Sequence, residues 1–379
     1  MKRIICWIIA FILPAACASA DRYLEASFSF TGLSDNRIET IDLYEQDDQI
    51  TTVSTLIPEY AVIIDQSMNL SLSLFHSICS VDPGAARENV RKADQTVREM
   101  IEKYLSDPVP GVYSGELFEN ASSVRTARFQ LSDFMTIIIN ALDPSDDPFF
   151  IACTEVFTSV RRSLKQAEPE QEPYMELKVF DNWEAMSALL FDREQAIMAI
   201  SFDHSSGNEK KILISYSENG RYYFRDILIK DDNDTITITS SLKSGTENTY
   251  QRTKTNIPLT AAQLTVKKEH FDLEMYGNGL SEPLIATGTT ASDDNGDALL
   301  NAKVYIKEHD AQAINICISL SQMARPVNFS DKEMISISDQ TDNAGFIISA
   351  ASKATELAAE IIPTLPDEYQ KMMIKLLYP

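Results

Sequence analysis

Hard oxygen ligands gather in two short stretches of this chain, Asp231-Asp232-Asn233-Asp234 and Ser292-Asp293-Asp294-Asn295-Gly296-Asp297. Carboxylates and amides at that density suit Ca2+, which is held by several oxygens from a flexible loop. Neither stretch is an EF-hand. Alignment on Gly296 puts Ala291 where the first Asp belongs and Ala302 where the bidentate Glu belongs. Asp231, Asp232 and Asp234 are therefore weak metal candidates, and the favoured reading of both stretches is a polar turn between strands. His76, His204, His270 and His309 are the chain's four histidines. None has a second His, a Cys or a paired carboxylate at the i,i+4 spacing of a helical zinc site. No metal and no cofactor are expected.

Nucleophilic chemistry finds as little support. There is no GxSxG elbow, and Gly111-Val112-Tyr113-Ser114-Gly115 has its serine in the wrong place. Ser240-Ser241-Leu242-Lys243, Ser34-Asp35-Asn36 and Lys243-Ser244-Gly245 match fragments of the SxxK, SDN and KTG set. Their order is reversed, and Lys243 would need two roles at once. No phosphate-cradling Gly-rich loop is present among only 12 glycines. With 56 acidic side chains, any chosen acid and base pair would be arbitrary. No catalytic residue is assigned. An enzyme reading requires a site assembled from distant residues, where His204 or His270 meets an Asp and a Ser or Cys.

The first twenty residues fix an address. Lys2 and Arg3, the apolar run Ile4 to Leu13, and Ala18-Ser19-Ala20 before Asp21 form the three parts of a secretory signal peptide. Leu13-Pro14-Ala15-Ala16-Cys17 resembles the lipobox of exported lipoproteins, with Pro14 departing from the usual Leu, so a lipid anchor at Cys17 is the lesser alternative. No later run has the roughly 18 uncharged apolar residues of a membrane-spanning helix, and no transmembrane segment is expected. The net charge of −23 repels nucleic acid and excludes it as a partner. Three of the five cysteines lie beyond residue 20. Cys79 and Cys153 form the preferred disulfide of an oxidising compartment, and Cys317, inside the apolar run Ala313 to Ile318, reads as a buried small hydrophobe.

The elements follow from periodicity. Alternation over Tyr23 to Leu56 predicts two or three short strands. From Tyr60 to Lys165 helical spacing takes over, in Ala86 to Tyr104, Ser122 to Leu142 and Asp147 to Leu164, with Ala61 to Ile78 also read as helix. Gln166 to Pro173, acidic and with two prolines, reads as a linker. Beyond a short helix opened by Asp181, with Glu184 as its capping partner, strands are predicted at Ala196–Phe202, Lys211–Ser217, Tyr222–Lys230, Thr235–Leu242 and Leu264–Tyr276. Others follow at Leu284–Gly288, Ala302–Ile306 and Ala313–Leu320, and two helices close the chain.

The expected fold is thus α+β: a helical bundle segment, then an antiparallel β-meander sheet with C-terminal helices. Its expected divisions are a signal peptide (1–20), strands plus bundle (21–165), linker (166–173) and meander domain (174–379). The functional expectation is a non-catalytic binding or interaction protein of the cell envelope, periplasmic or secreted, with a small apolar ligand or a protein as partner. A secreted hydrolase and a lipid-anchored envelope component are the alternatives.

Overall fold

The computed structural model describes residues 22–31, 38–46, 49–64, 83–115, 117–118, 120–144, 148–165, 172–206, 208–218, 221–232, 234–245, 257–277, 282–293, 297–311, 313–321, 329–336, 344–367, 369–371 and 374. In chain order the first strands are β1 (Arg22–Phe30), β2 (Ile38–Gln46), β3 (Gln49–Ser54) and β4 (Tyr60–Ile64), followed by helix α1 (Pro83–Glu102). Then come β5 (Val109–Tyr113), β6 (Ala121–Gln130), α2 (Leu131–Leu142) and α3 (Pro148–Leu164). The long run of strands is β7 (Tyr174–Phe180), β8 (Ala185–Asp192), β9 (Gln195–Ser206), β10 (Glu209–Glu218), β11 (Arg221–Asp231), β12 (Thr235–Gly245), β13 (Ile257–Lys267) and β14 (His270–Gly277). β15 (Leu284–Ser292), β16 (Ala298–Ile306), β17 (Ala313–Ser321), β18 (Glu333–Ser336) and α4 (Ala344–Ile361) complete it.

The chain forms two compact units, one from residues 1–81 with 279–379 and one from residues 82–278. In the first, the strand order is β15-β16-β17-β1-β2-β3-β4-β18, antiparallel except for the parallel pair β4 and β18. One face of this sheet is its core. Leu24, Ala26, Leu43, Ile50, Ala298, Ile318 and Leu320 are buried there together. In β17 every second residue, Ile314, Ile316, Ile318 and Leu320, belongs to that face, as period two demands. Cys317 falls on the other face, half-buried and opposite Ser27, so it does not occupy the apolar core expected for it.

In the second unit β5 to β14 pair in sequence order as an antiparallel meander. Helices α1 and α2 cover one face of it at β6 to β8. Ile101 and Ile137 are buried there with Ala127, Phe129, Met175, Leu177, Val179 and Ala188. α1 is tied across the sheet at both ends. Near its start the Arg87 guanidinium grips the Asp231 carboxylate of β11 through two hydrogen bonds of 2.6 and 2.5 Å. At its end Glu102 accepts two from Arg125 of β6, both 2.6 Å, and one from Trp183 Nε1 at 2.7 Å.

The expected helical bundle is corrected by this arrangement. Among the described residues six strands interrupt the stretch before residue 165, strands dominate after it, and α1 and α2 pack on a sheet instead of forming a bundle. Two local readings explain the error. The helical spacing over Ser122 to Leu142 includes Val124, Ala127 and Phe129, yet Ala121–Gln130 is a strand paired to β5 and β7, and the helix starts only at Leu131. Tyr60–Ile64 is likewise strand, not helix; residues 65–82, with the rest of that stretch, lie outside the described residues. The single strand expected over Leu264–Tyr276 is a hairpin folded at Lys268-Glu269, with Lys268 in the left-handed region.

The expectation of no transmembrane segment is corrected too. Among the described residues no helix is long and apolar enough to cross a membrane. That expectation counted helices alone, whereas this chain is built mainly of antiparallel strands, the other form in which a backbone can cross lipid with its polar groups paired.

Candidate functional site

Register carries one apolar face through the whole meander of residues 82–278. Val179, Met186, Phe202, Ile212, Ile227, Ser240, Ala262 and Met275 are successive cross-strand neighbours from β7 to β14. A second row runs Ile229, Ile238, Leu264, Leu273, and a third Ile236, Val266, Phe271. At β6 to β8 this face is the core under α1 and α2. α1 reaches only as far as Asp231 at the end of β11. Beyond it, Ile236, Ile238, Leu242, Leu264, Val266, Phe271, Leu273 and Met275 are all partly exposed and none is buried.

On the opposite face of β12 to β14 most positions are polar. Thr235, Thr237, Thr239, Ser241 and Lys243 alternate with the apolar positions of β12, as do Gln263, Thr265 and Lys267 in β13 and His270, Asp272 and Glu274 in β14. Period two therefore keeps charge off one face of β12 to β14, with Ser240 on that face and Ala261 and Tyr276 on the other. On β11 charge enters this face at Arg225, exposed between Ile214 and Leu242, and at Asp231, opposite Ile236.

Two concave sites lie within the units. In the first unit a polar groove of about 400 Å³ is lined by Ser27, Ser29, Thr289, Asn301, Lys303 and Cys317. In the second, a pocket of about 600 Å³ opens between the end of α1, the end of β6 and the start of α2, with Lys103, Arg128 and Tyr174 at its rim.

The residues singled out by sequence do not converge. Asp231 is occupied by Arg87. Asp232 accepts from the Asn208 side chain at 2.9 Å, and its N–H and that of Asp234 close the β11–β12 turn. Asp293 accepts the Asp297 N–H in the second acidic stretch. Among the described residues no group of three or more His, Cys, Asp or Glu side chains is placed to hold a metal ion. His204 lies half-buried near α1, its ring parallel to that of Phe202. Burial, then the nearby Arg98, holds its pKa below the usual histidine value. His270 is exposed at the start of β14. Lys243 pairs with Asp226 at 3.0 Å across β11 and β12. Cys153 lies on α3; its expected partner Cys79, like Cys17, lies outside the described residues.

No protein-family profile matches the chain, and no curated protein matches it in sequence. Among solved structures, two of the Pseudomonas aeruginosa protein OpdO, one named OccK3 (OpdO), overlay 80% of this chain and 94% and 96% of theirs, at 8% identity and TM-scores of 0.24 and 0.25. The P. aeruginosa protein OccK5 (OpdH) does so at 8% identity and a TM-score of 0.16. At such values the superpositions establish no common fold.

Proposed function

We propose that this chain is an exported interaction protein of the cell envelope that meets membrane hydrocarbon through the apolar face of β12 to β14. One observation carries the reading: the face that is helix-covered core at β6 to β8 continues in register into β12 to β14, where it bears no charge and its large apolar side chains are partly exposed. Large uncovered apolar surface favours association, since each apolar side chain removed from water is worth roughly 1.5–3 kcal/mol when fully buried. β12 and β13 have 11 residues each, within the range of about 9–11 that takes a tilted strand across a bilayer. The signal-like start supplies the export that such an address requires.

The test is flotation of the full chain with phosphatidylcholine vesicles. Parent protein floats, and Leu264→Glu or Ile238→Glu stays at the bottom of the gradient while keeping the parent's circular dichroism. Thr265→Glu, on the opposite face, floats as the parent does. Cys17→Ala removes any acyl anchor, so flotation lost in that variant alone would transfer the membrane contact to Cys17 and overturn the reading. Equal flotation of the two face variants would overturn it as well.

A further inference from the structure

The pocket at the end of β6 combines three features. Its floor is apolar, made by Met100 with buried Phe129 and Ile137. Its wall is an open sheet edge. Leu131 N–H donates to Pro173 O at 2.9 Å, so the odd-numbered residues of β6 turn their backbone groups towards β7. Thr126 turns the other way. Its N–H donates to Ser106 Oγ at 3.0 Å and its carbonyl accepts the Ser106 N–H at 2.9 Å. By the same alternation Arg128 presents its N–H and C=O outwards and Gln130, the N-cap of α2, its N–H, and β5, paired only as far as Val124, stops short of them.

The pocket lining carries two cations, Lys103 and Arg128, against one carboxylate, Asp133, in a chain of net charge −23, and neither cation forms an ion pair among the described residues. The Arg128 guanidinium is held in place by stacking, 3.6 Å from the centroid of the Tyr174 ring, which is itself stacked on Phe191 at 4.8 Å. A guanidinium fixed flat on an aromatic ring keeps its donor fork free for a carboxylate.

We infer that this pocket binds the carboxyl terminus of an extended peptide. The peptide backbone adds a strand to the open edge at Arg128 and Gln130, its terminal carboxylate meets Arg128 and Lys103, and its last side chain, apolar, rests on the pocket floor. A free small carboxylate would use the rim and leave the edge amides unpaired. The inference rests on the pocket alone and is independent of the membrane contact at β12 to β14.

Calorimetric titration of the full chain with acetyl-Thr-Thr-Val-Leu, and hydrogen exchange of the same mixture, test it. Binding is expected to weaken about tenfold or more for the C-terminal amide and for Arg128→Gln, and less for Arg128→Lys, which keeps charge without the fork. An analogue N-methylated at Val and Leu loses binding, and the intact peptide slows exchange of the Arg128 and Gln130 amides. Leu264→Glu binds the peptide as the parent does, which separates this site from the membrane contact. Equal affinity for acid and amide, indifference to Arg128→Gln, acetyl-leucine binding as tightly as the tetrapeptide, or no binding and no protection at millimolar peptide would each overturn the inference.

Discussion

Side chains in this protein hold backbone that would not choose its own conformation. Asp181, Asn182 and Trp183 have φ of 40°, 54° and 74°, three consecutive left-handed residues between β7 and β8, none of them glycine. Each such residue costs roughly 1–2 kcal/mol. Asp181 offsets this by accepting from the N–H and hydroxyl groups of Ser122 and Ser123, and Trp183 by donating to Glu102. Asn182 tolerates the region through its short amide. Asn182→Gly should therefore stay within about 0.5 kcal/mol of the parent, while Asn182→Val should lose about 1–2 kcal/mol in urea unfolding. Glu102 works differently, because donation from Arg125 and then Trp183 holds its carboxyl below the usual range. A depressed carboxyl contributes stability that is present above the unfolded value and lost as pH falls through the folded one. With the pair partly exposed, Glu102→Gln should cost about 1 kcal/mol at neutral pH, and the deficit should shrink in acid. His204 has the same sense of pH dependence at a higher window. Its lowered pKa penalises the charged form in the folded chain, so stability falls as pH drops below the ordinary histidine value, and His204→Gln should flatten that part of the profile.

Among the elements, α1 decides how far the meander's apolar face is covered, and its ties show what was legible in sequence. Its spacing of Ala93, Val97, Met100 and Ile101 is plainly helical, and the helix is where that pattern puts it. The strands after residue 195 were equally legible, because Ile236, Ile238 and their neighbours alternate cleanly with threonines. The stretch before residue 165 was not. In β6 the buried residues Ala127 and Phe129 run into the helical pattern of α2 with no glycine or proline between, and the turn from strand to helix is marked only by long-range bonds, Leu131 to Pro173 and Ser132 to Glu172. The pocket was invisible for a related reason: Lys103 just after α1, Arg128 of β6 and Tyr174 of β7 are separated in sequence, and edge exposure is a property of pairing. Asp231 is visible in sequence as one of several turn carboxylates, but its partner Arg87, 144 residues away, is not. Asp231→Ala should accordingly raise hydrogen exchange in the first turns of α1 and leave its last turn, packed through Ile101, protected. Millimolar Ca2+ should leave the parent's exchange unchanged, because the Asp231 carboxylate is already engaged by the guanidinium.

For the molecule as a whole, composition and surface pull in opposite directions, and that opposition gives the membrane reading a signature. A chain of 56 acidic against 33 basic side chains is repelled by anionic headgroups over about a Debye length, roughly 8–10 Å at ordinary salt. The apolar face of β12 to β14 gains from hydrocarbon whatever the headgroup charge. Attachment driven by apolar area in spite of net charge should therefore be tight on phosphatidylcholine and insensitive to salt there. On phosphatidylglycerol vesicles it should be weak in dilute buffer and recover as salt screens the repulsion, the reverse of the trend for a basic surface that binds by charge. Polar residues opposite the apolar row set the second half of the signature. Lys243, paired to Asp226, and the Thr235, Thr237 and Thr239 ladder face away from lipid and should tolerate added charge. The measurement is flotation on both vesicle types from dilute to high salt, with Leu264→Glu as reference. Parent protein that floats more on phosphatidylglycerol than on phosphatidylcholine in dilute buffer would assign the contact to a basic patch and remove β12 to β14 from it.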